Sequence, residues 1–142
     1  MKTSARNQFS GVVGQVTAGA VNDEVTINID GGAQIVATVI HDSAARLGLK
    51  AGAKAVALVK ATSVIVMVDA DASKVSARNF IDGKVSALTK GAVNSDVTIT
   101  SASGLAVSAI ITNSSVDRLG LAVGAPAAAL FKASSVIVGI DG

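Results

Sequence analysis

The chain has 142 residues, half of them apolar and 15% charged, with a formal net charge of +2. It holds no cysteine, tyrosine or tryptophan and three phenylalanines, which excludes disulfides, thiolate metal sites and aromatic platforms for base stacking. The basic residues are dispersed rather than clustered, and no apolar run approaches the roughly 18 residues of a membrane span, so neither nucleic acid nor bilayer is an expected partner.

The segment Met1–Asn7 is polar and lacks the apolar stretch of a secretory leader, so a soluble, cytoplasmic protein is expected. A first strand is predicted over Gly11–Val16, ending in the turn Thr17-Ala18-Gly19-Ala20. Val25-Thr26-Ile27-Asn28-Ile29 alternates apolar and polar residues, the period of a half-buried strand. Asp30-Gly31-Gly32 then turns the chain into a β-branched run, Gln34–Ile40. Ser43–Gly48 is the one helical piece, with Ser43 as N-cap, Gly48 in the left-handed position at its end, and Leu47 and Leu49 buried beneath it. Val56–Lys60 and Val64–Val68 supply two more strands, making five short strands in a small barrel.

The whole pattern then recurs. Ser4-Ala5-Arg6-Asn7 returns as Ser76-Ala77-Arg78-Asn79, Gly19-Ala20-Val21-Asn22 as Gly91-Ala92-Val93-Asn94, and Arg46-Leu47-Gly48-Leu49 as Arg118-Leu119-Gly120-Leu121. A shift of 72 (76 − 4) aligns 4–70 with 76–142 without a gap, and about half the aligned positions are identical. Such a duplication implies two copies of one module, over 1–70 and 76–142, joined by a 71–75 linker. Modules of this size bury little core alone, so packing between copies and an oligomer are expected.

Little here suits catalysis. The single histidine, His41, reads as a surface or packing residue, and no Gly-x-Ser-x-Gly elbow surrounds any serine. The acidic residues form no cation-ligand pattern. What the duplication keeps is a set of hydrogen-bond donors: Ser4, Arg6, Asn7, Ser43 and Lys60 with the backbone after it, matched by Ser76, Arg78, Asn79, Ser115 and Lys132. Taken singly, these are a helix cap, a strand end and surface charges. Together and twice over, hydroxyls, guanidinium, ammonium and helix-end amides suit a small dianion.

In combination, the Ser-Ala-Arg-Asn, Gly-Ala-Val-Asn, Arg-Leu-Gly-Leu and Lys-Ala-x-x-Val-Ile segments resemble the molbindins, the Mop or TOBE molybdate-binding modules. Two fused copies are similar to the tandem di-Mop arrangement. The resemblance implies all-β OB-like five-stranded barrels with short helices, assembled as a homotrimer that binds molybdate or tungstate at interfaces between modules. It implies a role in cytoplasmic storage and homeostasis, with no catalysis, no cofactor and no cation ligands. By position, the oxyanion-binding residues would be Ser4, Arg6 and Asn7, Ser76, Arg78 and Asn79, the helix serines Ser43 and Ser115, and the pairs Lys60-Ala61 and Lys132-Ala133. Thr112, a hydroxyl three positions before Ser115, would contribute in copy 2, whereas copy 1 has Ile40 there. Asn22 and Asn94 are candidates for a second, axial site. The alternatives are an oxyanion-sensing module acting on a partner protein and an OB-type nucleic-acid binder.

Overall fold

The computed structural model describes residues 1–141; Gly142, the last residue of the second sequence module, lies outside them. The chain divides into two compact units. Unit 1 comprises Met1–Lys60 and Lys132–Gly142, and unit 2 comprises Ala61–Phe131.

Unit 1 contains β1 (Asn7–Thr17), β2 (Asn22–Ile29), β3 (Gln34–Ile40), the helix α1 (His41–Arg46) and β4 (Lys54–Val59). Unit 2 begins with a 3-10 turn (Ala61–Ser63) and β5 (Ile65–Met67), followed by a second 3-10 turn at Ala72–Lys74. It continues with β6 (Asn79–Lys90), β7 (Asn94–Ser101), β8 (Ala106–Thr112), α2 (Asn113–Leu119) and β9 (Pro126–Phe131). A last 3-10 turn (Ala133–Ser135) and β10 (Val136–Gly139) belong to unit 1.

The two sheets have equivalent topologies. Unit 1 is ordered β10-β4-β1-β2-β3 and unit 2 β5-β9-β6-β7-β8, with antiparallel pairing throughout. In each, the two outermost strands also approach one another, β10 to β3 and β5 to β8, so the sheet curls toward a barrel. This is the OB-like, mostly β architecture expected from the strand count. The compact units nevertheless cut across the repeats: each sheet takes its closing strand, β10 or β5, from the other repeat.

The burial pattern explains why some strands are readable in the sequence and others are not. In β2, Val25, Ile27 and Ile29 are buried and alternate with more exposed residues, as a one-sided strand must. In β9, Ala127 to Phe131 are all buried, because β5 and β6 flank the strand within a curled sheet. Small alanines suit that position, since both faces are covered.

Two of the boundaries that differ from expectation bear on the site. β1 begins at Asn7 rather than Gly11, because the polar Asn7 still pairs with Val59 in the ladder. The helix starts at His41, not after Ser43, because the β2–β3 ladder runs to the Asn22–Ile40 pair and the His41 N–H then donates to the Val21 carbonyl at 2.8 Å. Ser43 is therefore inside the first turn, and Ile40 occupies the N-cap. Gly48 is left-handed as expected, with φ 66°.

Curling brings a strand glycine of each sheet hard against its neighbour's backbone. A Cβ on Gly11 would lie 2.2 Å from the Asn28 carbonyl oxygen, and one on Gly83 the same distance from that of Thr100. Both glycines sit just before a register shift, at Val13/Gln15 and Val85/Ala87, where a bulge sharpens the strand's bend. Gly11→Ala and Gly83→Ala should each lower stability by about 1–3 kcal/mol, the usual range for overpacking against a backbone that cannot yield. Urea titration checks this as a lowered midpoint at unchanged slope.

Candidate functional site

At one end of unit 1, β1 opens beside the last residues of β4. Asn7 is 2% exposed and its Nδ2 donates to the Val59 carbonyl at 3.2 Å, so this side chain ties the two strands together inside the fold. Arg6 precedes Asn7 and Lys60 follows Val59, so the antiparallel register brings these two exposed cationic residues to the same strand ends. Ser4 is exposed in the segment leading in. In unit 2, Asn79 is equally buried and pairs with Phe131 at the opening of β6, with Arg78 and Ser76 exposed before it.

A second cluster forms where β3 or β8 enters its helix. In unit 2 Thr112 is the N-cap: its Oγ1 accepts from the Ser115 N–H at 3.1 Å and donates to Ser115 Oγ at 2.9 Å. Ser115 Oγ thus accepts one hydrogen bond and keeps its own proton for another acceptor. In unit 1 the N-cap is Ile40, 61% exposed and without a side-chain cap bond, leaving Ser43 without that companion. Asn22 and Asn94, both exposed, pair with Ile40 and Thr112 in the ladders, so the Gly-Ala-Val-Asn turns adjoin these helix starts.

The exchanged strands bring the Lys-Ala segments with them. The 3-10 turn beginning at Ala133 packs on β3, the strand that leads to Ser43. The turn beginning at Ala61 packs on β8, which leads to Thr112 and Ser115. Lys132 and Ala133 therefore share unit 1 with Ser4, Arg6, Asn7, Ser43 and Lys60, whereas Ala61 shares unit 2 with Ser76, Arg78, Asn79, Thr112 and Ser115.

The composition-based reading of His41 missed a partner. His41 Nδ1 lies 2.8 and 3.1 Å from the two carboxylate oxygens of Asp23, which is 4% exposed and also accepts from the Gly19 N–H at 3.1 Å. The hydrogen bond donated to Asp23 and then that carboxylate's charge hold the imidazole above the ordinary histidine range, against a smaller desolvation penalty. In turn, the His41 hydrogen bond pulls the Asp23 carboxyl below the ordinary range. Among the described residues no three His, Asp or Glu side chains gather as a metal cage, and no helix is long and apolar enough to cross a membrane.

A duplicated, curled five-stranded sheet with serine-bearing helix starts has a direct counterpart among known proteins. The TOBE domain profile matches the chain twice, over residues 3–66 and 75–138. The chain belongs to the TOBE-domain family. Its fold matches the crystal structure of the cytoplasmic molybdate-binding protein ModG with molybdate bound, at a TM-score of 0.94 and 44% identity, covering 99% of this chain and 100% of that one. It is 44% identical over 141 residues to the molybdenum transport protein ModE of Herbaspirillum seropedicae, covering 99% of this chain and 52% of that protein. A probable molybdenum-pterin-binding protein of Haemophilus influenzae is 45% identical over 69 residues, 49% of this chain and 100% of that one. The chain spans about half the length of the ModE and MopA relatives it matches.

The two TOBE repeats thus differ at the cap, and the difference is measurable. Ile40→Thr should restore the Thr112-type cap and raise stability by about 0.5–2 kcal/mol, and Thr112→Ile should lower it by a similar amount. Thermal denaturation of the two variants in parallel checks both signs.

Proposed function

We propose that the chain binds a tetrahedral dianion, molybdate or tungstate, and holds it in the cytoplasm as a storage and buffering protein without catalysing a reaction. The observation that carries this reading is the ModG likeness: 44% identity and a TM-score of 0.94 over essentially both whole chains, with molybdate bound in that structure. The side chains present suit the ligand. Exposed Arg6, Arg78, Lys60 and Lys132 supply charge, and the Ser115 hydroxyl, held by Thr112, supplies an oriented proton. Such a site recognises an oxyanion by hydrogen bonds to its oxygens and needs no cation ligand.

We further read the modules 1–70 and 76–142 as two copies of one binding unit, with the 71–75 linker joining them, and the working assembly as a homotrimer. Matching β-branched side chains support association: Val21 and Val93 are each 70% exposed, and Ile65 and Ile137 are 57% and 62% exposed. Paired apolar positions of this kind, one from each repeat, are what contact with further modules would cover.

Calorimetric titration with molybdate, beside sulfate and phosphate controls and a native mass, tests the reading. Saturable molybdate binding on a trimer, with little response to sulfate, is the expected outcome; no heat with any of the three anions would overturn it. Removing one charged donor should cost about 1.5–3 kcal/mol, or roughly tenfold to over a hundredfold in affinity. Arg78→Ala and Lys132→Ala should therefore each weaken molybdate binding while leaving the melting curve in place, and unchanged affinity in both would refute the residue assignment.

A further inference from the structure

The two repeats close the same turn by different chemistry. In unit 2 the Gly91 N–H donates to the Asn94 carbonyl at 2.8 Å, and the turn is fastened to α2 by Asn113 Nδ2, which donates to the Gly91 carbonyl at 2.9 Å. Asn113 Oδ1 in turn accepts from the Ser95 hydroxyl. In unit 1 the equivalent positions carry Asp23 for Ser95 and His41 for Asn113. There the Gly19 N–H donates to the Asp23 carboxylate instead, and that carboxylate is held in turn by His41, the first residue of α1.

We propose that Asp23 and His41 are positioning residues that form a protonation-controlled latch, holding the Gly19–Asn22 turn against the first turn of α1 and thereby setting Ser43 for the oxyanion. The last part rests on the oxyanion reading above; the latch itself does not. Unit 2 has the same brace made from groups that keep one charge state near neutrality.

The direction of the pH response follows from the pair. Asp23 accepts only, so a hydrogen must sit on His41 Nδ1. With both imidazole nitrogens protonated, a cation faces the buried carboxylate. Loss of the proton removes that charge and lets the ring present a lone pair to Asp23 in its other tautomer. The His41 contribution is therefore complete below the ordinary histidine range and fades as pH rises through its raised value. Asp23, held below the ordinary carboxylate range, stays ionised through this interval, and its contribution is lost only in stronger acid. α1 packs on β2 and β3. Those strands carry only Asp23 and Glu24 as charged side chains, and α1 itself adds Asp42, which also favours the imidazolium, and Arg46.

The experiment uses the full chain in two readouts between pH 5 and 9. By NMR, His41 should titrate above the ordinary histidine midpoint, and the Gly19 amide, normalised to its intrinsic exchange, should lose roughly two- to fivefold protection across the same midpoint, the scale of a partly exposed ion pair. Gly91 should show no such step. The double variant Asp23→Ser, His41→Asn, which copies unit 2, should fold and abolish the Gly19 step. An ordinary His41 midpoint, a flat Gly19 profile, or a step that survives in the double variant each overturns the latch. Calorimetry with sodium molybdate then reads the consequence: part of the binding should weaken above the His41 midpoint in the natural chain and not in the double variant. Molybdate affinity that is flat with pH while the Gly19 step is present overturns the positioning of Ser43. No molybdate heat at any pH overturns the oxyanion reading instead, leaving the latch to stand on the NMR result.

Discussion

Each sheet depends on a strand that its own repeat does not supply. β4 lies between β1 and β10, and β9 lies between β6 and β5, so without the exchanged strand this inner, largely buried strand of each unit would become an open edge. The ladder from Val136 to Gly139 against Val59 to Val56, and that from Ile65 to Met67 against Leu130 to Ala128, satisfy those backbone groups. An edge built of Ala127 to Phe131 would otherwise expose both unpaired amides and a continuous apolar surface. The exchange therefore couples the folding of the two repeats. It also decides which candidate ligands share a unit, since the segments after Lys60 and after Phe131 travel with the exchanged strands.

Within this shared frame the two copies have diverged where the frame is least demanding. Phe9, Val13, Val25 and Ile27 keep apolar counterparts buried in the second sheet, because packing density leaves little room for change. The helix starts tolerate more. Thr112 caps α2 and Ile40 fails to cap α1, yet both helices form, since Ala44 and Val116 anchor each by burial. The cost of the missing cap is small enough for tertiary packing to absorb, which leaves the chemistry of the two helix starts free to differ.

Much of the fold was legible in the sequence because its signals are local. The alternation of Val25–Ile29 and the Asp30-Gly31-Gly32 turn each need only a short window to read, and the 72-residue repeat shows when the two halves of the chain are aligned. The exchange of β5 and β10 left no such signal: Ile65-Val66-Met67 and Val136-Ile137-Val138 read as strands whichever neighbour they join. The helix start was misplaced for a related reason. Ser43 has better intrinsic cap chemistry than Ile40, but the β2–β3 ladder fixes where the strand ends, and tertiary register overrides local preference.

The Asp23–His41 pair marks the limit of reading one residue at a time. Eighteen residues separate the two, and neither resembles a motif. The hairpin would have exposed the pair: once Asn22 is placed opposite Ile40, the next residue of β2 and the first of α1 meet at the end of the same ladder. Comparing the copies would have sharpened it, since both partners change together, from Asp and His to Ser and Asn. A joint change at positions 18 apart in sequence and adjacent in the fold marks a physical contact, and here it also exchanges a titratable contact for a fixed one. Apart from Thr112, the candidate oxyanion residues could be read from the chain because both repeats retain them. What distinguishes the two helix starts lies in what the repeats do not share.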